Sequence, residues 1–202
     1  MTFGHCRLSS SAASDRDLRF AVKSYVSLND LKEDEIRYSD IHRLVAGMYR
    51  SWLNKDKEYY IAPFTLKKGS NIHGLIFGCS NLLGIEKFLR ICWQIDPERG
   101  EANFDIDGDN LDNLDLFKDN NTSNKVRKFQ ERLLCVLKNG QLTSDLDIFR
   151  FSLEHGFLPV KHAKSVVKKL IKEGIILCQK QPRLSKICIK EPRNFDVSIS
   201  CK

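Results

Sequence analysis

Between Asp96 and Asp119 nine acidic side chains face only Arg99 and Lys118, in a stretch full of Asn, Asp and Gly. Carboxylates at that density cannot line an interior, because each would have to leave water without a partner. The chain therefore reads as two apolar-patterned stretches joined by a solvated acidic linker. Its 202 residues suffice for one or two cores, and 42% hydrophobic residues with 12 Phe provide the apolar surface to build them. Four segments result: a poorly ordered or partly helical lead-in over 1–38, a helix-strand-strand-helix unit over 39–96, the linker over 97–123, and a trihelical unit over 124–202.

The linker also divides the charge. Residues 121–202 hold 17 Lys and Arg against 7 Asp and Glu, a net +10, whereas residues 1–120 sum to −3. That asymmetry points to an anionic partner for the second half, nucleic acid above all. Within the linker, Asn103, Asp105, Asp107 and Gly108 mimic positions 1, 3, 5 and 6 of a calcium loop. Leu114 stands at the twelfth position, where a bidentate Glu is required, and Asn110 at the eighth, where an apolar residue belongs. A solvated acidic loop is the better reading.

Seven cysteines (6, 79, 92, 135, 178, 188 and 201) form no CxxC pair and are odd in number, which favours reduced thiols in a cytoplasm over disulfides or a metal site. The longest apolar run, Ile72 to Leu83, is interrupted by His73, two glycines, Ser80 and Asn81, so no membrane span is expected, and the amino terminus lacks the apolar core of a secretory signal.

In the first half, Ile41, Leu44, Val45, Met48 and Trp52 predict an amphipathic helix capped by Ser39. Tyr59 to Leu66 and Ile72 to Cys79 predict a hairpin around Lys67-Lys68-Gly69-Ser70, with the second strand buried on both faces. Ser80 would cap a second helix bearing Leu82, Ile85, Phe88, Leu89, Cys92 and Trp93, stopped by Pro97 and Gly100. Two strands are marginal in water, so this unit reads as the edge of a larger α/β sheet.

In the second half, Val126, Phe129, Leu133, Leu134 and Leu137 face inward on one helix, and Ile148, Phe149, Leu153 and Phe157 on the next, capped by Thr143 or Ser144 and ended by Gly156. A third runs from about Pro159 to Gly174, followed by two strands, Ile175 to Gln179 and Leu184 to Lys190. Three helices and a hairpin are the element order of a winged helix-turn-helix. At about 100° per residue, Lys161, Lys164, Lys168 and Lys172 share an arc of about 80°, opposite Ala163, Val166, Val167, Leu170 and Ile171. That ridge, with Lys180, Arg183, Lys186 and Lys190 of the wing, is the candidate nucleic-acid-binding set, acting on phosphates. It lacks the Arg, Asn and Gln that read base edges, so low sequence specificity is expected, on DNA in the first instance. A solvated face on a dimerising or protein-docking module is the alternative. His155 and His162 read as cap or surface residues, and Cys79 as a packing thiol. No catalytic, metal-binding or cofactor-binding residues are expected: a GxGxxG turn after a strand, a P-loop, a nucleophile elbow and HExxH are all lacking.

Leu75-Ile-Phe77, Ser80, Gly84-Ile-Glu86 and Trp93-Gln-Ile-Asp96, followed by an acidic gap and the basic helix with Glu173-Gly174-Ile175-Ile176, resemble the carboxyl-terminal part of the three-Cys-motif partner proteins, with a GMT-like winged helix-turn-helix. The resemblance covers about residues 38–200. It implies an α+β chain: a partial, truncated Rossmann methyltransferase-like segment followed by a winged helix. The glycine-rich S-adenosylmethionine loop of such methyltransferases is missing before Ser39, so no catalytic role transfers. The implied function is non-catalytic binding of nucleic acid, with a three-Cys-motif protein or a separately encoded methyltransferase half as possible partners. The alternatives are the second half of a split methyltransferase-like enzyme and an interaction module.

Overall fold

The computed structural model describes residues 4–6, 41–53, 58–68, 71–98, 100 and 123–198. The lead-in apart from Gly4–Cys6, the cap Ser39, the tip of the hairpin and the acidic linker with its calcium-like loop lie outside the described residues. In chain order the elements are β1 (Gly4–Cys6), α1 (Ile41–Trp52), β2 (Tyr60–Lys68), β3 (Asn71–Cys79), α2 (Leu82–Ile95), α3 (Asn124–Lys138), α4 (Asp145–Glu154), a π turn (Pro159–Ala163) leading into α5 (Lys164–Lys172), β4 (Ile176–Leu177), α6 (Ile187–Lys190) and β5 (Asp196–Val197).

The hairpin forms in continuous register from Tyr60 opposite Cys79 to Lys68 opposite Asn71. Within the lead-in, Gly4–Cys6 pairs antiparallel with Gly74–Ile76, so the sheet order is β1-β3-β2. Pro63 is tolerated because β2 is an edge strand, where a missing N–H costs no ladder bond. Every strand pair among the described residues is antiparallel, and the parallel sheet of a Rossmann fold is not among them.

Helices pack on both faces of this sheet, yet the side chains of β3 are mostly half-buried, short of the full burial expected. On one face Phe88 of α2 stacks on Phe77 with centroids 4.5 Å apart and meets Phe64 edge-on. On the other face α1 turns a different edge inward from the one its apolar spacing predicts. His42 and Ala46 are buried, whereas Trp52 is 61% exposed. The cause lies in the strand beneath: a Cβ on Gly74 would stand 2.5 Å from the His42 Cβ, so the helix comes close at its slim edge rather than its bulky one. His42 Nε2 and Thr65 Oγ1 share a hydrogen bond of 2.7 Å, and Arg50 donates twice to the Ile61 carbonyl. Asn81, not Ser80, caps α2, its Oδ1 accepting from Leu83 N at 2.8 Å.

In the second half most of the expected inward residues are buried, Val126, Phe129, Leu133 and Leu137 of α3 and Ile148, Phe149 and Leu153 of α4 with Phe157 after it, whereas Leu134 is half-buried. Ser144 is the α4 cap, accepting from Asp147 N. The third helix is continuous only from Lys164, since its first turn, opened by Pro159, is π. The wing departs from expectation. Ile176–Leu177 pairs with Asp196–Val197, and Leu184 to Lys190 is not a strand, because Ile187–Lys190 winds into a helical turn that buries Cys188. The carboxylate of Asp145, itself fully buried, holds both flanks of this insertion, accepting from Arg183 N at 2.9 Å and Arg193 N at 2.8 Å. Burial and the Asp145 charge push the Cys188 thiol up to about 11, as suits a packing group.

One apolar core runs from Tyr60 in β2 to Phe195 beside β5. Trp93 of α2 joins the halves, donating from Nε1 to the Gly156 carbonyl at 2.9 Å and meeting the rings of Phe157 and His162 at a tilt. Gly156 sits at φ +84°, the left-handed helix end that leaves its carbonyl turned outward for that bond. Arg150 of α4 adds an ion pair to Glu58 at 2.6 Å.

Candidate nucleic-acid interface

The element that would present cations is α5. Its Val166, Val167 and Leu170 are buried in the core, where the helix packs against α3, and the helical period then forces Lys164, Lys168 and Lys172 onto the exposed side. The structure brings these three together on one face. Lys169, between them in sequence, reaches Glu173 at 3.9 Å. Lys161, on the preceding π turn, is turned away from the ridge: it donates to the Pro97 carbonyl and lies 5.0 Å from the Trp93 ring centroid.

The wing residues separate likewise. Lys180 is exposed in the loop after β4, and Lys186 and Lys190 are exposed at the two ends of α6 rather than along a hairpin. Arg183 is half-buried, with Nη2 donating to the Glu191 carbonyl and carboxylate, each at 3.1 Å. It braces the wing. Thus Lys164, Lys168, Lys172, Lys180, Lys186 and Lys190 present outward ammonium groups, while Lys161 and Arg183 hold the fold.

His155 is a helix cap, one of the two roles expected, whereas His162 is buried rather than at the surface. His155 ends α4, its Nδ1 2.7 Å from the Phe151 carbonyl, and burial lowers its basicity. His162 is 3% exposed, and its Nδ1 accepts from Leu158 N at 3.0 Å. Burial foremost, with Lys161 and Lys125 nearby, lowers its pKa to about 3, so the ring is neutral. Groups of His, Cys, Asp and Glu suited to a metal are lacking among the described residues, and Cys79, Cys92, Cys135, Cys178 and Cys188 are free thiols. No helix among them is long and apolar enough to cross a membrane.

A second set of cations was not singled out from the sequence: Lys125, Lys128 and Arg132 of α3 with Arg43 and Arg50 of α1 line one cleft. The spacing i, i+3, i+7 on α3 was the available signal.

The geometry of three helices, a strand pair and an isolated bridge between Ser144 and Asn194 is that of a winged helix-turn-helix. No curated protein and no solved structure matches the chain. A family model does match residues 102–183, a span that takes in α3 to β4 and reaches Arg183, and by its description this part of the chain is similar to GMT-like winged helix-turn-helix domains.

Proposed function

We propose that the winged helix binds nucleic acid, DNA in the first instance, through phosphate contacts of low sequence specificity. The observation that supports this reading is the division of α5, with Val166, Val167 and Leu170 buried and Lys164, Lys168 and Lys172 exposed. A helix so divided can lie along a groove while its ammonium groups displace counterions from the backbone. Lys180, Lys186 and Lys190 extend the positive surface. The role is non-catalytic and cytoplasmic, in keeping with the resemblance to three-Cys-motif partner proteins. Fluorescence anisotropy on a labelled duplex at several salt concentrations tests it. Expected is an affinity that falls log-linearly with salt, with a slope of about −0.9 per neutralised phosphate. Binding indifferent to salt, or absent at low salt, refutes it.

A second reading has its own support. Ile91 and Ile95, one turn apart on α2, are 56% and 45% exposed, an apolar strip that a protein partner would cover. In this reading the sheet unit docks a separately encoded methyltransferase half or a three-Cys-motif protein. Ile91→Glu would then abolish co-purification with the co-expressed partner while duplex binding persists.

A further inference from the structure

The cleft between α1, β2 and α3 has a volume of about 740 Å³, within the range of small-ligand sites. Two kinds of side chain converge there. Arg43 and Arg50 approach from α1, and Lys125, Lys128 and Arg132 from α3, against one carboxylate among the described residues, Glu154. The opposite contribution is aromatic: Tyr59, just before β2, is exposed, and the buried rings Tyr60, Trp93, Phe129 and Phe157 back the cleft from the core. Some of these groups are already fixed. Arg50 Nη2 donates to the Ile61 carbonyl at 2.6 Å, and Lys125 Nζ lies 5.6 Å from the Trp93 ring centroid. Lys128 and Arg132 are exposed, and Tyr59, 40% exposed, lies over Gly78 of β3.

Five like charges around one recess sum to a positive potential that draws an anion in. Glu154 offsets at most one of the five charges, and burial raises the pKa of its carboxyl. An inorganic anion would answer the cations but leave the exposed Tyr59 ring unused. A base-paired duplex offers no free base face to it. A planar base carrying a phosphate satisfies both at once: an exposed tyrosine ring stacks on a base whatever its identity, and guanidinium and ammonium groups take the phosphate.

We propose that this cleft binds a nucleoside phosphate, its base against the exposed ring of Tyr59 and its phosphate held by the cations of α1 and α3. The site is separate from the α5 ridge and stands whether or not the winged helix binds a duplex. The ligand chemistry can come from a free nucleotide or from the unpaired end of a nucleic-acid strand.

Calorimetric titration of the full chain with AMP, with inorganic phosphate and with a short 5′-phosphorylated single strand tests the proposal. Expected is AMP binding that weakens about tenfold or more in K128A/R132A and in Tyr59→Ala, with Lys168→Ala/Lys172→Ala unchanged. Circular dichroism checks that each variant is folded, and Lys128→Gln, a milder change at an exposed position, provides the second variant if the double alanine is not. A single strand that binds at least about tenfold tighter than AMP identifies a nucleic-acid end as the source, and a strand that fails to compete identifies the free nucleotide. The proposal is overturned by AMP binding no tighter than inorganic phosphate, by no heat at about 1 mM AMP, or by cleft variants that bind as wild type. Loss of duplex binding in the ridge variant, with AMP binding intact, bears on the winged helix alone.

Discussion

Two buried residues show how single side chains govern this molecule. Asp145 has no exposed surface, and its carboxylate accepts backbone N–H groups from two points 10 residues apart, Arg183 and Arg193. Asp145→Ala would leave both donors without a partner in a site closed to water, so a loss of about 2–4 kcal/mol in urea unfolding is expected, with Asp145→Asn losing less because one oxygen remains. His162 sets a pH limit. Its pKa is about 3 in the fold, against an ordinary 6.5 when unfolded, so below 6.5 the unfolded chain takes up a proton that the folded chain refuses. Its contribution to stability is whole above pH 6.5 and declines as pH falls toward 3, by about 1.4 kcal/mol per pH unit inside that window. Urea midpoints measured from pH 7 to 5 should fall in the wild type and fall less steeply in His162→Gln. Parallel curves would show that another group governs the acid limb.

At the scale of elements, α5 makes the sharpest prediction. Lys164→Glu with Lys168→Glu should weaken duplex binding equally for unrelated sequences and reduce the salt slope by about 2, since two phosphate contacts are removed and neither reads a base. A loss confined to one sequence would contradict the phosphate-contact reading. The element scale also shows what local sequence can and cannot carry. The buried faces of α3, α4 and α5 were legible because a helix buries residues three and four apart, and Phe129, Leu133, Ile148, Phe149, Val167 and Leu170 obey that spacing. Two elements were not legible. Helix α1 buries His42 and Ala46 because its neighbour is the glycine-bearing strand β3, a fact of the sheet and not of the helix. The Ile187-Cys188-Ile189 text looks like a strand, but Asp145, some 40 residues earlier, clamps the chain on either side of it into a helical turn. The candidate site was split in the same way. Lys164, Lys168 and Lys172 followed from period alone, whereas the diversion of Lys161 to Pro97 and of Arg183 to Glu191 depends on distant partners.

For the molecule as a whole, the question is whether the sheet unit and the winged helix unfold together. Acidic composition between Asp96 and Asp119 separates them in sequence, yet Trp93 crosses that gap in space. Its indole N–H bonds Gly156, and its ring lies 4.1 Å from His162 and 5.7 Å from Phe157, which in turn stacks on Phe129 at 4.1 Å. Aromatic pairs of this kind contribute about 0.5–1.5 kcal/mol each beyond their buried area, and the indole bond about 1 kcal/mol, so the coupling is comparable to a large fraction of a small domain's stability. One cooperative transition is therefore expected. The chain has only two tryptophans, so in a Trp52→Phe background the fluorescence of Trp93 reports this junction alone. Its urea transition should coincide with that of far-ultraviolet circular dichroism, which reports both units. Phe157→Ala, which removes a ring from the junction and from the core of the winged helix, should move both midpoints down together. A Trp93 transition that precedes loss of the helical signal would mean instead that the sheet unit detaches first and that the winged helix stands without it.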